Sequence, residues 1–374
     1  MIHHQVVIVG GGEAGLSVAG RLLKESPGLD VAIIEPSEQH HCQRLWLMVG
    51  GGVIGPEESQ RDRAALVPQG AAWIKDTVVS FDPGSDSLTT AGGESISYRY
   101  LVVAPGIQVK WDRVQGMREA VGRDGVCSAY TFETLIATWS SIRDFAGGVA
   151  LFTQPTGQIK CPTGSQEMCY MAEEHFRNSG VRDATRMIFV SGEAALFPVP
   201  EYAKVLDQLA SDKGVAVHLG LDLVEVRPAS KQAVFRHLVS GEESVIPYDL
   251  LHIAPPMGPF DFVAQSELAD EGGWVGVDPQ TLRHARFPNV FGLGDASSLP
   301  TTKTAAAVRQ QVPVLVSNLL ASLERRPLSA KYDGFSLCFL VTGYESILRA
   351  EMGYNGLAVE DCVSRLLNLS PPRH

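Results

Sequence analysis

A glycine-rich turn near the N-terminus constrains the fold more than any other feature of the chain. The turn is a G-x-G-x-x-G sequence at residues 10–15, and it directly follows the continuous apolar run Gln5–Val9. Such a run is typical of a strand that is buried on both faces in a parallel sheet. The following residues predict an amphipathic helix over 14–24, and a second apolar strand, Val31–Ile34, ends at Glu35. This order predicts a β-α-β unit of an α/β fold.

The residues of this unit suit the binding of a dinucleotide. Gly10 allows the tight turn, Gly12 lets a pyrophosphate approach the backbone, and Gly15 lets helix and strand pack closely. The helix N-terminus offers free N–H groups and a positive dipole end to the phosphates. Glu35 stands where a carboxylate accepts hydrogen bonds from ribose hydroxyls. We predict a dinucleotide site; the alternative is a loop that only turns the chain, and the motif alone does not separate FAD from NAD.

Two later segments favour FAD over NAD. Tyr98–Gly106 predicts a strand that ends in Ala-Pro-Gly, and residues 287–300 predict another strand, followed by Gly294-Asp295 and a helix from Thr304. An aspartate in that place can accept a hydrogen bond from a sugar-chain hydroxyl, and the helix N-terminus can stabilise negative charge on a flavin ring. A plain turn at Gly294-Asp295 is the alternative. The long separation from the first motif predicts that a second domain is inserted into the FAD domain.

The inserted segment alternates strands and helices like a second Rossmann-like domain, but it lacks the glycines of a nucleotide site. We predict strands at Gly148–Thr153 and Met187–Val190 and a helix at Pro200–Asp212. The second of these strands leads into residues 191–195, Ser-Gly-Glu-Ala-Ala, with one glycine where a nicotinamide site needs three. Because Cβ atoms there would keep a pyrophosphate away from the backbone, we expect poor NAD(P)H binding and another electron donor.

Composition excludes several other classes of function. The chain has 374 residues and a net charge of −11 without a run of basic residues, so nucleic acid is not an expected partner. The apolar segment Val312–Leu323 is too short to span a membrane. Met1 leads into a strand and not into a signal peptide, so we expect a cytoplasmic protein. The cysteines lack zinc-site spacing, which predicts no metal site; they are Cys42, Cys127, Cys161, Cys169, Cys338 and Cys362.

Cys161 is the cysteine whose local sequence most favours redox chemistry. It lies in Lys160-Cys161-Pro162-Thr163-Gly164, a tight loop that opens onto a helix predicted from Gln166. A thiol at a helix N-terminus beside a lysine should have a lowered pKa and therefore more thiolate. Cys338 lies far along the chain, and the sequence does not show whether the two cysteines meet. The alternative for each is a small buried apolar residue.

Four segments together resemble sulfide:quinone oxidoreductases, most of all the branch that includes the mitochondrial enzymes. They are Lys160-Cys161, residues 252–257 (HIAPPM), residues 299–307 (LPTTKTAAA) and residues 332–344 (YDGFSLCFLVTGY). The resemblance runs from about residue 5 to about residue 356. These enzymes are flavoproteins with two dinucleotide-binding domains.

The resemblance implies an α/β fold with two Rossmann-like dinucleotide-binding domains. The FAD-binding domain would be discontinuous, over 1–109 and 252–330, with the second domain, 110–251, inserted into it and lacking a nicotinamide fingerprint. Residues 331–374 would form a short C-terminal segment that carries Cys338 and ends in a truncated or divergent membrane-binding tail. Such a tail implies at most weak or peripheral association with the inner face of the cell membrane.

The resemblance also implies a reaction. FAD would pass electrons from sulfide to a quinone, and sulfide would become sulfane sulfur in a persulfide or polysulfide. Cys161 would lie beside the flavin, while Cys338 would be attacked by sulfide and hold the persulfide. A small acceptor would then take the sulfur, namely sulfite, glutathione, cyanide or another sulfide. The alternatives are a flavocytochrome c-type sulfide dehydrogenase flavoprotein and a tail-less flavin- or persulfide-binding protein without quinone turnover.

The resemblance assigns a set of residues to FAD. Asp295 would bind the ribityl chain, Val78, in a strand predicted over Trp73–Val79, would touch the adenine through its backbone, and Lys303 would stabilise the reduced flavin. Cys127 matches a cysteine that only some members of the family carry. The complete predicted cofactor set is Gly10, Gly11, Gly12, Gly15, Glu35, Gln43, Val78, Gly106, Gly294, Asp295, Lys303 and Thr304.

Overall fold

The computed structural model describes residues 2–354 and the backbone of residues 366–368. These residues form eight α-helices and 22 strands. The helices are α1 (Glu13–Glu25), α2 (Trp46–Gly50), α3 (Met117–Ala120), α4 (Phe132–Arg143), α5 (Gly164–Asn178), α6 (Pro200–Asp212), α7 (Asp261–Ala264) and α8 (Ala305–Leu323). The strands are β1 (Ile2–Val9), β2 (Val31–Ile34), β3 (Gln39–His41), β4 (Gln60–Asp62), β5 (Ala71–Ile74), β6 (Val78–Asp82), β7 (Ser87–Thr90), β8 (Ser95–Val103), β9 (Gln108–Val109), β10 (Val126–Cys127), β11 (Gly148–Gln154), β12 (Thr185–Ser191), β13 (Val215–Leu219), β14 (Leu221–Arg227), β15 (Gln232–His237), β16 (Glu243–Pro247), β17 (Leu250–Ile253), β18 (Met257–Gly258), β19 (Val290–Gly292), β20 (Ser336–Gly343), β21 (Ser346–Met352) and β22 (Leu366–Asn368).

A parallel sheet in the order β5-β2-β1-β8-β19 forms the first layer, and the antiparallel pair β7 and β6 extends it from the first half of β8. Val9, the last residue of β1, pairs with Ile34 of β2 and with Val103 of β8. Gly292 of β19 pairs with Val103 as well. Because these strands are parallel, their carboxyl ends meet at one edge of the sheet, which is where ligands bind in such folds.

Helices α1 and α8 pack against this sheet and share its apolar core. The buried residues of α1 recur at helical spacing, at positions 15, 18, 19 and 22, as an amphipathic helix requires. Leu315, Val316 and Leu319 of α8 are fully buried in the same core. A Cβ on Gly294 would lie 3.5 Å from Ala14 and 3.3 Å from Val308, so the first turns of both helices lie at the end of β19.

A second parallel sheet has the order β10-β17-β11-β12-β13. Its central strands β11 and β12 pair from Gly148 with Thr185 to Gln154 with Ser191. Apolar side chains of α4, α5 and α6 are buried in one core with this sheet, among them Leu135, Phe152, Phe176, Phe189 and Leu206. Two parallel sheets with packed helices confirm the predicted α/β class with two Rossmann-like layers.

The hairpin of β20 and β21, continued by β22, packs against α5. The backbone N–H of Val341 donates to Glu167 of α5 at 3.2 Å, and that of Tyr344 donates to Glu174 at 3.0 Å. Leu340 is fully buried in the core that includes α5. The hairpin thereby brings Cys338 next to this helix. The predicted membrane-binding tail falls on residues that, apart from 366–368, lie outside the described residues.

The single strand predicted over Trp73–Val79 is wrong. The chain forms two strands, β5 and β6, separated by a turn at residues 75–77. Asp76 makes this turn because its carboxylate accepts hydrogen bonds from the N–H groups of Thr77 at 2.7 Å and Gly92 at 3.1 Å. Such side-chain bonds compete with the strand ladder. Val78 therefore begins a strand that pairs with β7 and not with β2.

Glu173 joins α5 to the elements around it. Its carboxylate is 1% exposed and lies 3.2 Å from both Nε of Arg182 and Nζ of Lys213, with Arg177 as a third cationic partner. Arg182 also donates to the carbonyl oxygen of Lys213 at 2.6 Å, at the end of α6. A buried ion cluster of this kind is sensitive to the loss of its central charge.

We expect Glu173→Ala to lower the free energy of unfolding by about 3–5 kcal/mol, because Arg182 and Lys213, which are 18% and 17% exposed, lose their compensating charge. Urea unfolding of the holoprotein, followed by tryptophan fluorescence, measures this value. The control is Glu271→Ala, at an exposed turn, which should change the free energy by less than about 0.5 kcal/mol. Equal stability of both variants would contradict the structural role given to Glu173.

Candidate functional site

The glycine turn between β1 and α1 leaves one side of its backbone open. Gly10 has a φ of +101°, and a Cβ on it would overlap the carbonyl oxygen of Ala104 at the end of β8. A Cβ on Gly15 would overlap the carbonyl oxygen of Gly10. A Cβ on Gly12, by contrast, would meet no protein atom within 4 Å. Close packing explains the glycines at positions 10 and 15, whereas Gly12 leaves room for a group such as the pyrophosphate of FAD.

A buried arginine joins the glycine turn to the end of β2. Glu35 accepts hydrogen bonds from the N–H of Gly11 at 2.9 Å and of Ser37 at 3.0 Å. The guanidinium of Arg63, which is 4% exposed, lies 3.8 Å from the Glu35 carboxylate. It donates to the carbonyl oxygens of Gly11, Ser37 and Gln39. The carboxylate is thus held at the strand end where a ribose would lie.

The ends of β8 and β19 reach the same edge of the sheet. Gly106 has a φ of +84°, and a Cβ there would meet no protein atom within 4 Å. Gly294 has a φ of +66°, and its N–H donates to the side chain of Gln311 in α8 at 2.8 Å. At Asp295, burial raises the pKa of the carboxyl, and the charge of Lys303 opposes this rise. The open glycine backbone and the carboxylate fit the sugar chain of FAD.

Lys303 is a buried cation just before α8. Its ammonium group donates to the carbonyl oxygen of Asp295 at 2.7 Å and lies 3.7 Å from the centroid of the Trp274 ring. Burial lowers the pKa of Lys303 to about 8. Thr304 caps α8 by accepting a hydrogen bond from the N–H of Ala307 at 3.3 Å. Both residues line one small pocket together with Asp295. The ammonium of Lys303 and the N-terminus of α8 could therefore stabilise a negative charge in this pocket.

The last two predicted cofactor residues lie on other segments. Gln43 is exposed and begins the short helical turn Gln43–Leu45. Val78 is 4% exposed at the start of β6. Their roles in FAD binding stay predictions.

Cys161 has a strained backbone conformation in the loop before α5. Its φ is +48°, in the left-handed region that residues other than glycine rarely adopt, and Pro162 follows. Its N–H donates to the carbonyl oxygen of Lys303 at 3.2 Å, and its own carbonyl accepts from the Tyr130 hydroxyl at 3.2 Å and the Gly164 N–H at 2.8 Å. Such strain is found mostly at functional sites. The bond to Lys303 brings this loop beside the pocket before α8.

Cys338 lies in the same site as Cys161. It is 8% exposed in β20, and its Sγ lies 3.4 Å from Oγ1 of Thr163, in the loop that carries Cys161. Cys161 packs against the apolar cluster that contains Cys338, and Cys338 contributes to the pKa shift of Cys161. Both thiols are free. The fold therefore brings together two cysteines that are remote along the chain.

The lowered pKa expected for Cys161 is wrong. Burial raises the pKa of this thiol well above its ordinary value, and the charges of Glu167 and Cys338 raise it further, while Lys160 opposes the rise. Burial and Glu167 likewise raise the pKa of Cys338 to about 12. The pKa of Lys160 itself is lowered by burial to about 8, and its ammonium lies 4.6 Å from the Trp46 ring centroid. Enclosure outweighs the helix N-terminus and the lysine, so both thiols are protonated at neutral pH.

A buried carboxyl lies beside the two thiols. Glu167 is 2% exposed in the first turn of α5. Its Oε1 accepts from the Thr163 hydroxyl at 2.7 Å, and its Oε2 accepts from the N–H of Val341 in β20 at 3.2 Å. Burial raises the pKa of Glu167 to about 7, although both hydrogen bonds oppose the rise. This carboxyl therefore changes its charge near neutral pH.

Two of the remaining cysteines have the environments of structural thiols. Cys127 in β10 and Cys169 in α5 are fully buried, and burial raises the pKa of both, that of Cys127 to about 12. Cys42 accepts a hydrogen bond from Arg44 at 3.2 Å. Cys362 lies outside the described residues. In the part of the chain that the structure describes, no group of three or more His, Cys, Asp or Glu side chains could hold a metal ion.

The loops at the carboxyl ends of β11 and β12 are occupied by the protein's own carboxylates. Asp222 accepts from the N–H of Thr156 at 2.8 Å, and Glu193 accepts from the N–H of Gly157 at 3.0 Å. A Cβ on Gly192 would overlap the Asp222 carboxylate. A pyrophosphate would need these N–H groups and would be repelled by the carboxylates. These contacts support the prediction that the second Rossmann-like layer does not bind NAD(P)H well.

Three residues of the site were missed by the sequence analysis, namely Arg63, Thr163 and Glu167. Arg63 lies in a polar segment, and its contacts with the glycine turn are entirely tertiary, so the sequence carries no signal for it. Thr163 and Glu167 follow Cys161 closely. The first ten residues of α5 are all buried in the structure, and burial of such a polar helix start cannot be read from the sequence.

Comparison with known proteins gives the chain clear relatives. Residues 4–134 match the sequence model of the family described as "Pyridine nucleotide-disulphide oxidoreductase". The chain is 42% identical to the mitochondrial sulfide:quinone oxidoreductase of Dictyostelium discoideum, over 96% of this chain and 79% of that protein. It is 38% identical to the mitochondrial sulfide:quinone oxidoreductase of Mus musculus, over 96% of this chain and 80% of that protein.

Among solved structures, the sulfide:quinone oxidoreductase from the hyperthermophilic bacterium Aquifex aeolicus has a similar fold. It superposes with a TM-score of 0.85 over 98% of this chain and 87% of the other, at 18% sequence identity. At this identity the likeness concerns the fold alone.

We expect Gly12→Ala to weaken FAD binding at least about tenfold, because the added methyl group would enter the space that the pyrophosphate needs. The apoprotein should keep its stability within about 0.5 kcal/mol. The stability should be unchanged because φ at Gly12 is −75°, which alanine adopts readily, and because the added Cβ would meet no protein atom. Flavin fluorescence quenching and thermal unfolding of the apoprotein measure the two quantities.

The matched control is Gly20→Ala, in the middle of α1, where the new Cβ would lie 3.6 Å from Pro68 in ordinary contact. This variant should bind FAD like the parent. If Gly12→Ala also bound FAD like the parent, the open side of the turn would not be the pyrophosphate site.

Proposed function

This chain belongs to the sulfide:quinone oxidoreductase family, and we propose on that premise that Cys161 and Cys338 carry its redox chemistry. The chain is an FAD-dependent oxidoreductase that oxidises sulfide and reduces a quinone. One observation supports the two cysteines above all others: two free thiols lie together, one in a loop whose backbone donates a hydrogen bond to Lys303 and the other in the strand β20 beside that loop.

The cleft at the edge of the first sheet would hold FAD. Gly12 and the N-terminus of α1 would bind the pyrophosphate, Glu35 the ribose and Asp295 the ribityl chain. Lys303 would lie at the flavin ring, where its charge favours the reduced form. When bound, FAD accepts an electron pair from the cysteine site and delivers it to a quinone.

We propose that sulfide attacks an oxidised form in which Cys161 and Cys338 are joined by a disulfide. Hydrosulfide bonds to Sγ of Cys338 as the disulfide breaks, and the electron pair of the broken bond leaves on Sγ of Cys161. Cys338 then holds a persulfide and Cys161 is a thiolate. The ammonium of Lys160 stabilises this thiolate, since its charge lowers the pKa of Cys161.

The high pKa of Cys161 is compatible with this role. A thiolate with a high pKa forms less readily, but it is intrinsically the stronger nucleophile and electron donor. In the proposed reaction the Cys161 thiolate arises by cleavage of a disulfide, so no proton has to be removed from the Cys161 thiol. Enclosure then raises its reactivity and excludes water.

The sulfur acceptor would be a small nucleophile. Cys338 is 8% exposed, which leaves little room around its persulfide. Sulfite, cyanide, glutathione and a second hydrosulfide are the acceptors that we propose on chemical grounds.

We also propose the division of the chain into an FAD-binding domain (1–109 and 252–330), a second Rossmann-like domain (110–251) and a C-terminal segment (331–374). The relatives are described as mitochondrial. For this chain we propose a cytoplasmic location with peripheral attachment to the inner face of the cell membrane, because a lipophilic quinone has to be reached there. None of the helices within residues 2–354 is long and apolar enough to cross a bilayer.

We expect Cys161→Ser and Cys338→Ser each to reduce sulfide-dependent quinone reduction to background, because each removes one sulfur atom of the proposed disulfide. Decyl-ubiquinone reduction by the holoprotein and anaerobic bleaching of the flavin by sulfide are the measurements. Cys169→Ala, at a buried thiol of α5, is the control and should keep both activities. Normal bleaching in either serine variant would remove that cysteine from the mechanism.

NADH should fail to bleach the flavin of the anaerobic holoprotein, whereas sulfide should bleach it. The reason is that Asp222 and Glu193 occupy the loop N–H groups that a pyrophosphate would need. Stopped-flow absorbance with each reductant in turn measures the two rates. Bleaching by NADH at a rate comparable to that with sulfide would show that the second layer does bind a nicotinamide nucleotide.

A further inference from the structure

Glu167 is a buried acid for which the reaction described so far has no use. It is 2% exposed, and none of the ion pairs formed by residues 2–354 includes it. Glu173, on the same helix and equally buried, has three cationic partners. A buried carboxylate without a cation is costly, and such groups hold a proton more readily than usual. An acid of this kind beside two reactive thiols points to proton transfer.

A hydroxyl connects this acid to Cys338. Oγ1 of Thr163 lies 2.7 Å from Oε1 of Glu167 and 3.4 Å from Sγ of Cys338, and Thr163 is 3% exposed. A hydroxyl has one proton to donate and lone pairs to accept another, so it can pass a proton in either direction. Glu167, Thr163 and Cys338 therefore form a continuous hydrogen-bonded series of side chains, each of them buried.

The titratable groups around Glu167 are coupled to it. Its charge raises the pKa of Cys161 in the loop before α5, of Cys338 in β20 and of Tyr130 in the segment before α4. Lys160 is the cation that acts on Cys161. The N–H of Val341 in β20 donates to the carboxylate and favours its charged form. A proton on Glu167 thus makes a thiolate at Cys338 easier to form, and a thiolate there draws that proton towards the sulfur.

We propose that Glu167, through the hydroxyl of Thr163, gives a proton to Sγ of Cys338 when the sulfane sulfur is transferred from the Cys338 persulfide to its acceptor. This proposal rests on the proposed role of Cys338 as the persulfide carrier. Glu167 does not touch the substrate. It acts through the Thr163 hydroxyl and positions the proton that this hydroxyl passes on.

The atoms and electrons of this step balance without a further oxidant. The acceptor, for example sulfite, attacks the outer sulfur of the persulfide and forms a bond to it. The bond from the outer sulfur to Sγ of Cys338 breaks, and its electron pair goes to Sγ. The Thr163 hydroxyl gives its proton to Sγ while the Glu167 carboxyl replaces that proton. The products are the Cys338 thiol, hydrogen thiosulfate and the Glu167 carboxylate. Hydrogen thiosulfate releases to solvent the proton that the outer sulfur brought from hydrosulfide, and the Glu167 carboxylate regains a proton from solvent.

The pKa values of Glu167 and Cys338 favour proton transfer from Glu167 to Cys338. The Cys338 thiol has its pKa raised to about 12 by burial and by Glu167, so an unprotonated Cys338 would be a poor leaving group. The pKa of Glu167 is raised to about 7, so the acid holds its proton up to neutral pH. An acid with a pKa near the working pH is the most effective proton donor.

The test is a single turnover of the holoprotein with Glu167→Gln. Parent and variant are loaded anaerobically with one equivalent of sulfide, the sulfur mass on the Cys338 peptide is recorded, and sulfite is then added while thiosulfate is measured. The glutamine keeps the bond to Val341 but has no proton to give. The result is expressed as the ratio of the rate of thiosulfate formation by the parent to that by the variant. Sulfite ionises equally in both assays, so its own pH dependence cancels in this ratio.

Below pH 7 we expect a ratio of about 100, the usual effect of a general acid, and a fall of about tenfold per pH unit above 7 as Glu167 loses its proton. Thr163→Val should reproduce the loss and Thr163→Ser should restore the parent rate. The Thr163 pair also keeps the proposal testable if Glu167→Gln does not fold. A ratio that stays near one, or one that is large but does not change with pH, would overturn the relay.

Glu174→Gln is the matched control. Glu174 is on the same helix and accepts from the N–H of Tyr344 at 3.0 Å, as Glu167 does from Val341 in the same hairpin. The variant removes one carboxylate next to the hairpin but leaves the hydrogen bonds between Glu167, Thr163 and Cys338 intact. The ratio of parent rate to variant rate should therefore be near one at every pH. The sulfur mass on the Cys338 peptide distinguishes the two proposals. If the parent protein carries no added sulfur on Cys338, then both the persulfide role of Cys338 and the proton relay are wrong. If parent and variant carry equal sulfur but the rate ratio does not change with pH, then only the relay is wrong.

Discussion

The hydrogen bond from the N–H of Cys161 to the carbonyl oxygen of Lys303 is the contact on which the arrangement of the site depends. It joins a loop of the second parallel sheet to the segment that begins α8 on the first, and neither layer forms the site alone. The first layer contributes the cleft at its strand ends and the cation Lys303. The second contributes Cys161 and Glu167, and the C-terminal hairpin adds Cys338. The left-handed backbone of Cys161 costs on the order of 1–3 kcal/mol, and the surrounding hydrogen bonds to Tyr130 and Gly164 hold it in this conformation.

Enclosure gives the ionisable groups of the site a common property. Burial lowers the pKa of Lys160 and of Lys303 to about 8, raises that of Glu167 to about 7, and raises that of Cys338 to about 12. Every one of these shifts favours the neutral form, which is the signature of desolvation. Acids and bases that sit near half-ionisation at neutral pH can take up or release a proton when charge appears on a sulfur atom. In the proposed mechanism, a change of redox state at the sulfur atoms would therefore be accompanied by proton movement over short distances.

The sequence predicted the first layer well because its signals are local. The glycine turn, the strand Val31–Ile34 and the helix α1 were found at or within one or two residues of their bounds, since apolar periodicity and glycine geometry act over a few residues. The turn at Asp76 was missed because one side chain competes there with the strand ladder. The pKa of Cys161 was predicted in the wrong direction, because a helix N-terminus and a neighbouring lysine can be read from the sequence but burial beside Glu167 cannot. Arg63 was missed for the same reason: all of its partners come from segments more than twenty residues away.

The second layer keeps the strand and helix order of a nucleotide-binding domain while its own carboxylates fill the nucleotide position. Asp222 and Glu193 accept hydrogen bonds from two N–H groups of the loop after β11, so this strand end is satisfied without a phosphate. The same sheet buries almost all of α5, and that helix carries at its N-terminus both the loop of Cys161 and the carboxyl of Glu167. In the proposed function the two thiols have to meet a sulfur atom and a flavin, which requires a scaffold that holds them in place.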